Sequence, residues 1–150
     1  MSDLDIRAAG MHDAQAISQV IVQALQQSNA QDYPAAVIER VASNFTPAAV
    51  AQLLAIRQVL VAEFDDEVVG TASLDGDVVR TVFVAPSVQG RGVGRALMSA
   101  VEQLARQAGV CRLAVPSSLT AQAFYAALGY SLVREIVDNE ERTLVMTREL

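Results

Sequence analysis

The chain has 150 residues, room for one ordinary domain with a sizeable core, and 52% hydrophobic against 19% charged residues excludes a disordered chain. A net charge of −6 argues against general affinity for nucleic acid, and no apolar run approaches the roughly 20 residues that span a bilayer. Cys111 has no partner for a disulfide, no Cys/His cluster suggests a metal, and the acidic start Met1-Ser2-Asp3-Leu4-Asp5 lacks the apolar segment of a secretory signal, so a cytoplasmic protein is expected.

In chain order, Asp3–Ala8 reads as a first strand. Ile17, Val20, Ile21 and Leu25 recur at helical spacing between His12 and Ser28. Asn29–Pro34 breaks that helix, and apolar positions from Val37 to Ile56 predict one or two shorter ones. Val59–Phe64 and Val68–Leu74 are strands joined by Asp65-Asp66-Glu67, and Asp75-Gly76 signals a hairpin into Val78–Ala85, which ends at Pro86. Val93, Leu97, Val101, Leu104 and Ala108 make a helical stripe over Gly92–Ala108, stopped by Gly109. Val110–Val115 is a strand, Leu119–Leu128 a helix closed by Gly129, and Tyr130–Val137 with Arg142–Met146 a hairpin. No repeat or linker divides the chain, so residues 1–150 are expected to form one α+β domain around a largely antiparallel sheet.

The chemistry is expected where the strand ending at Val84 feeds the helix near Gly92. A helix N-terminus offers unpartnered N–H groups and partial positive charge, which an anion satisfies. Gly90, Gly92 and Gly94 let the main chain wrap closely, and Arg91 and Arg95 add charge-assisted donors. Residues 80–112 hold five Arg against one acid, while residues 1–79 hold three Arg against eleven acids. A P-loop would need a lysine, which the chain lacks, and a dinucleotide fingerprint would need glycine where Arg95 stands. A glycine turn that binds nothing would look similar; the local charge and the helix behind it favour the anion site.

Gln89-Gly90-Arg91-Gly92-Val93-Gly94 resembles the Q/R-x-x-G-x-G/A signature of the GNAT superfamily of acetyl-CoA-dependent N-acetyltransferases. Val82-Phe83-Val84-Ala85-Pro86 resembles the strand that precedes it, and Ala121–Tyr130 resembles the later A-x-x-F-Y-x-x-x-G-F element. The resemblance spans roughly residues 59 to 137. It implies a GNAT-like fold, a central twisted sheet of about seven strands flanked by about four helices. It implies that Val82, Phe83 and Val84 offer backbone groups to a pantetheine arm, with the Val84 N–H facing the thioester carbonyl oxygen. Gln89, Gly90, Arg91, Gly92, Val93, Gly94 and Arg95 would hold the pyrophosphate of acetyl-CoA. Tyr125 would protonate the departing thiolate while a neutral amine, expected on a small molecule, attacks directly. Packing beside Phe124 and Leu128 is the plainer account of Tyr125. No acyl-enzyme cysteine is needed, so Cys111 reads as a small buried core residue.

Two positions depart from the family pattern. Ser118 stands where many members carry an asparagine that binds pantetheine; it could bind there too, or cap the following helix. Leu113 stands where members that modify protein N-termini often carry a glutamate. No general base is assigned: Glu63, Asp75 and Asp77 fit solvated hairpin acids, and His12 fits a surface position. The acceptor region of the family corresponds to about residues 26 to 57, where Tyr33 and Phe45 could line a pocket or belong to the core. The alternatives to a small-molecule N-acetyltransferase are a non-catalytic acyl-CoA sensor and a protein lysine acetyltransferase. A homodimer is left open.

Overall fold

In the computed structural model, which describes residues 3–150, seven strands form one sheet in the order β1-β2-β3-β4-β5-β7-β6. The strands are β1 (Asp5–Ala8), β2 (Gln58–Phe64), β3 (Glu67–Asp75), β4 (Val78–Val84), β5 (Arg112–Ser117), β6 (Ser131–Asp138) and β7 (Glu141–Glu149). Five helices accompany them: α1 (Ala14–Gln27), α2 (Ala35–Ala42), α3 (Pro47–Ile56), α4 (Val93–Gln107) and α5 (Gln122–Ala127). Met1 and Ser2, part of the acidic start, lie outside the described residues. Every neighbouring pair is antiparallel except β4 and β5.

Period-two alternation divides the core into two layers. Leu60, Ala62, Ala72 and Val79 point to one face and meet Val93, Leu97, Met98 and Val101 of α4. Val59 and Val61 point to the other and meet Ile17, Ile21 and Leu25 of α1. Fully burying a side chain such as Leu97 or Ile21, both 0% exposed, is worth about 1.5–3 kcal/mol. The helical tract before β2 splits in two because Thr46 accepts a hydrogen bond from the Ala49 N–H (3.2 Å) and Pro47 starts α3 afresh. That split is the two-helix form of the expected one or two and gives five helices in all.

Two expectations need correction. Cys111 is exposed and precedes β5 by one residue, so it is not a core residue; Leu113 and Val115 take the buried positions of that strand. The last helix begins at Gln122 and not at Leu119, because Ser118 Oγ accepts from the Ala121 N–H (3.2 Å) and closes a turn first. Glu102 falls off the expected α4 stripe yet is buried, accepting from the Tyr130 hydroxyl (2.8 Å) and pairing with Arg148 (2.8 Å). Both partners lie in the last 21 residues, so local periodicity could not announce them.

Candidate functional site

The two parallel strands meet only at the Val78–Ala114 register and then part. The parting coincides with an irregularity in β4: the β3–β4 register slips between Thr71 and Ser73, and Thr81 adopts φ +57°, a strained value for a β-branched residue. Two side chains hold this bulge. Ser73 Oγ donates to the Arg80 carbonyl (2.7 Å), and Arg57 Nη1, at the end of α3, donates to Thr81 Oγ1 (3.2 Å) while its Nε is buried without a partner. Beyond it, the Ala85 N–H donates to the Val69 carbonyl (2.7 Å), so ladder alternation turns the Val84 N–H away from β3 and toward the gap.

Between the strands lies a cavity of about 610 Å³. At one end, β4 leads through Pro86–Val88 into the glycine loop and α4. Gly92, the N-cap, has φ +82°, a left-handed conformation that glycine adopts without strain. No side chain caps this helix, and its first backbone bond runs from the Ala96 N–H to the Gly92 carbonyl (3.0 Å). The amides of Val93, Gly94 and Arg95 therefore lack intrahelical partners and remain available to an anion. Gly94 serves packing: a Cβ there would stand 3.1 Å from the Phe124 ring, which would have to shift to admit it.

Of the sequence-predicted residues, Val82, Phe83, Val84, Gln89, Gly90, Gly92, Val93, Gly94, Arg95, Ser118 and Tyr125 all line this cavity. Arg91 does not: its guanidinium lies 4.7 Å from the centroid of the Phe64 ring, outside the lining. The Gln89 amide donates to Ser28 Oγ (3.0 Å) and reaches the Val84 carbonyl (3.4 Å), tying the loop to α1 and β4. Phe83 faces the α1 layer and meets Phe45 edge to face at 6.2 Å.

Tyr125 is 4% exposed, held edge-on between Phe124 and Tyr130. Burial raises its pKa well above the usual value, and no hydrogen bond contributes to the shift, so the hydroxyl stays protonated with its proton uncommitted. Tyr130 is also raised, by burial and then by its bond to Glu102, but its hydroxyl is committed there.

The opposite end is assembled from distant side chains. Tyr33 accepts from the Leu119 N–H and donates to the Arg142 carbonyl, both at 2.8 Å, joining the α1–α2 link to the β5–α5 and β6–β7 links. Burial raises its pKa. Tyr33 and Phe45 both line the cavity, as do Asn29, Thr143 and Glu141, which sequence patterns did not single out. Glu141 follows a hairpin turn whose Asn139 and Glu140 have φ +48° and +70°, a local cue to the turn but not to the cavity. Glu63 is bound to Arg7, which also grips Asp13, and Asp75 pairs with Arg80 (3.2 Å); neither lines the cavity. His12 is exposed, 3.4 Å from Asp13. Among the described residues no group of three or more His, Cys, Asp or Glu could hold a metal ion, and no helix is long and apolar enough to cross a membrane.

The Acetyltransferase (GNAT) domain family matches residues 55–132. A GCN5-related N-acetyltransferase from Rhodopseudomonas palustris is 31% identical, with a TM-score of 0.92 over 100% of this chain and 98% of its own. YncA from Salmonella typhimurium, solved with its cofactor acetyl-CoA, is 25% identical, with a TM-score of 0.68 over 97% of this chain and 93% of its own. PaiA N-acetyltransferase from Thermoplasma acidophilum, solved in complex with coenzyme A, is 14% identical over 99% of both chains; at a TM-score of 0.85 that likeness is one of fold.

Proposed function

The chain belongs to the GNAT acetyltransferases, an acyltransferase family, and on that premise we propose that it moves an acetyl group from acetyl-CoA to a primary amine of a small molecule, with Tyr125 as general acid. One observation carries the reading: the parted β4 and β5 open a single cavity that contains both the unpaired amides of α4 and the buried, uncommitted Tyr125 hydroxyl. Acetyl-CoA fits this frame. The Val93, Gly94 and Arg95 amides and the Arg95 guanidinium hold its pyrophosphate, and the exposed edge of Val82 and Val84 receives the pantetheine arm in the manner of an added strand. The neutral amine attacks the thioester carbonyl, and the Val84 N–H stabilises the charge that develops on its oxygen. As the C–S bond breaks, Tyr125 gives its proton to the departing sulfur and recovers one from the nitrogen. Its raised pKa keeps it in the proton-donating form throughout the neutral range.

The test is a thiol-release assay over an amine panel, with Tyr125→Phe as the variant. We expect acetyl-CoA binding to persist and turnover to fall about 10²-fold or more. Turnover equal to wild type across the pH range would end the general-acid role. A second reading, an acyl-CoA sensor without catalysis, draws on the lack of any imidazole in the cavity among the described residues. Saturable acetyl-CoA binding with no thiol release on any amine would favour it.

A further inference from the structure

The two ends of the cavity differ in charge. Arg95 is the only cation that lines it, at the α4 end, and Glu141 is the only carboxylate, at the other end, among the described residues. The cavity is also lined by Val37 and Val41 of α2 and by Tyr33 and Phe45. The Glu141 side chain is 36% exposed and already has one cationic partner. Its Oε1 accepts from Arg40 Nη2 (3.2 Å), and Oε2 has no protein partner.

Building on the acetyltransferase reading, we propose that the acceptor is a monoamine on a compact hydrophobic or aromatic body, and that Glu141 is the specificity-determining residue that first receives its ammonium group; the same nitrogen then gives one proton to water and attacks the thioester as the neutral amine. An ammonium taken from water into a half-closed apolar space needs an opposite charge to offset its desolvation, and Glu141 is the one such charge the cavity provides. The apolar body gains by leaving water against α2 and the two rings, and an ammonium beside Tyr33 or Phe45 gains from the ring faces. A polyamine would bring a second ammonium with no second acid to meet it. An amino acid would bring a carboxylate, and the cation beside this end, Arg40, is already paired with Glu141. A lysine within a peptide would need an open groove for the flanking chain. Here Tyr33 bonds to Leu119 and Arg142, and Asp32 Oδ2 accepts from Thr120 Oγ1 (2.7 Å), tying the α1–α2 link to the β5–α5 and β6–β7 links where a flanking chain would have to pass.

Steady-state thiol release with acetyl-CoA tests this on 2-phenylethylamine, n-hexylamine, spermidine, glycine and a lysine-containing peptide, using wild type, Glu141→Gln and Glu141→Asp. The first two amines should exceed the others in kcat/KM by about tenfold or more, because each unpaired charge left in the cavity costs at least that much. Glu141→Gln should raise the KM for those amines about tenfold, with kcat within about threefold of wild type, and Glu141→Asp should recover part of the loss. The KM for acetyl-CoA should not move, which separates lost ammonium recognition from a damaged fold. An unchanged amine KM in Glu141→Gln, or preference for spermidine, glycine or the peptide, would overturn the proposal while leaving the acetyltransferase reading intact. Absence of thiol release from wild type with every amine would defeat that reading itself.

Discussion

On the α4 side of the cavity, the groups that face the enclosed space are mostly main chain: the edge of β4 and the first amides of a helix that no side chain caps. On the α2 side they are side chains, brought from the α1–α2 link, α2, the turn before α3 and the start of β7. The first construction recognises what every acyl-CoA shares, a diphosphate and an amide-bearing arm, and depends little on residue identity except where a side chain would intrude. The second can be rewritten residue by residue without disturbing the sheet. The comparison assigns donor binding to the backbone and acceptor choice to the side chains.

Breaking the first side should cost most. Arg95→Glu sets a carboxylate beside the proposed diphosphate site, and we expect acetyl-CoA affinity to drop about a hundredfold by calorimetry while thermal stability stays near wild type. An unchanged affinity would move the diphosphate away from α4. The second side rests on the entry to α1, where Arg7 holds both carboxylate oxygens of Asp13 (2.8 and 2.9 Å) and the Gly10 N–H donates to it (2.7 Å). The bond to Arg7, above all, lowers the pKa of this buried acid from 3.8 to about 2. Because the folded value lies below the unfolded one, its stabilisation is complete above the ordinary carboxylate range and fades as pH falls toward 2. It amounts to about 2 kcal/mol at most, and acid unfolding followed by circular dichroism should show a shallower pH dependence in Asp13→Asn between pH 5 and 2.

Tyr33→Phe sharpens the contrast. It removes an acceptor from the Leu119 N–H and a donor from the Arg142 carbonyl, and should cost about 1–2 kcal/mol in chemical denaturation. It should also raise the amine KM while leaving acetyl-CoA affinity alone; a loss confined to acetyl-CoA would contradict the division. The smallest effect is expected from Ser118→Ala. Losing the bond to the Ala121 N–H should lower stability by about 1 kcal/mol. A weakened acetyl-CoA affinity in the same variant would show that Ser118 also touches the pantetheine arm.

How far the sequence could be read follows the same division. The α4 loop was legible because its cues are local: a strand ending at Val84, closely spaced glycines and a 3.6-residue stripe from Val93. The sheet was legible from alternation and turn residues such as Asp65-Asp66 and Asp75-Gly76. Glu141 was not, since Tyr33 and Arg40 lie about a hundred residues earlier and meet it only through the folded sheet. Cys111 misled because apolar neighbours suggested an earlier strand start than Arg112. Arg91 shows a third limit: its place in the loop was readable, but its rest against Phe64 depends on a ring contributed by β2.

The most direct measurement is a calorimetric titration of the wild-type protein with acetyl-CoA. Saturable binding at one site per chain, weakened by added pyrophosphate, is the result expected if the amides of α4 grip the diphosphate. Absence of saturable heat, or binding indifferent to pyrophosphate, would contradict it.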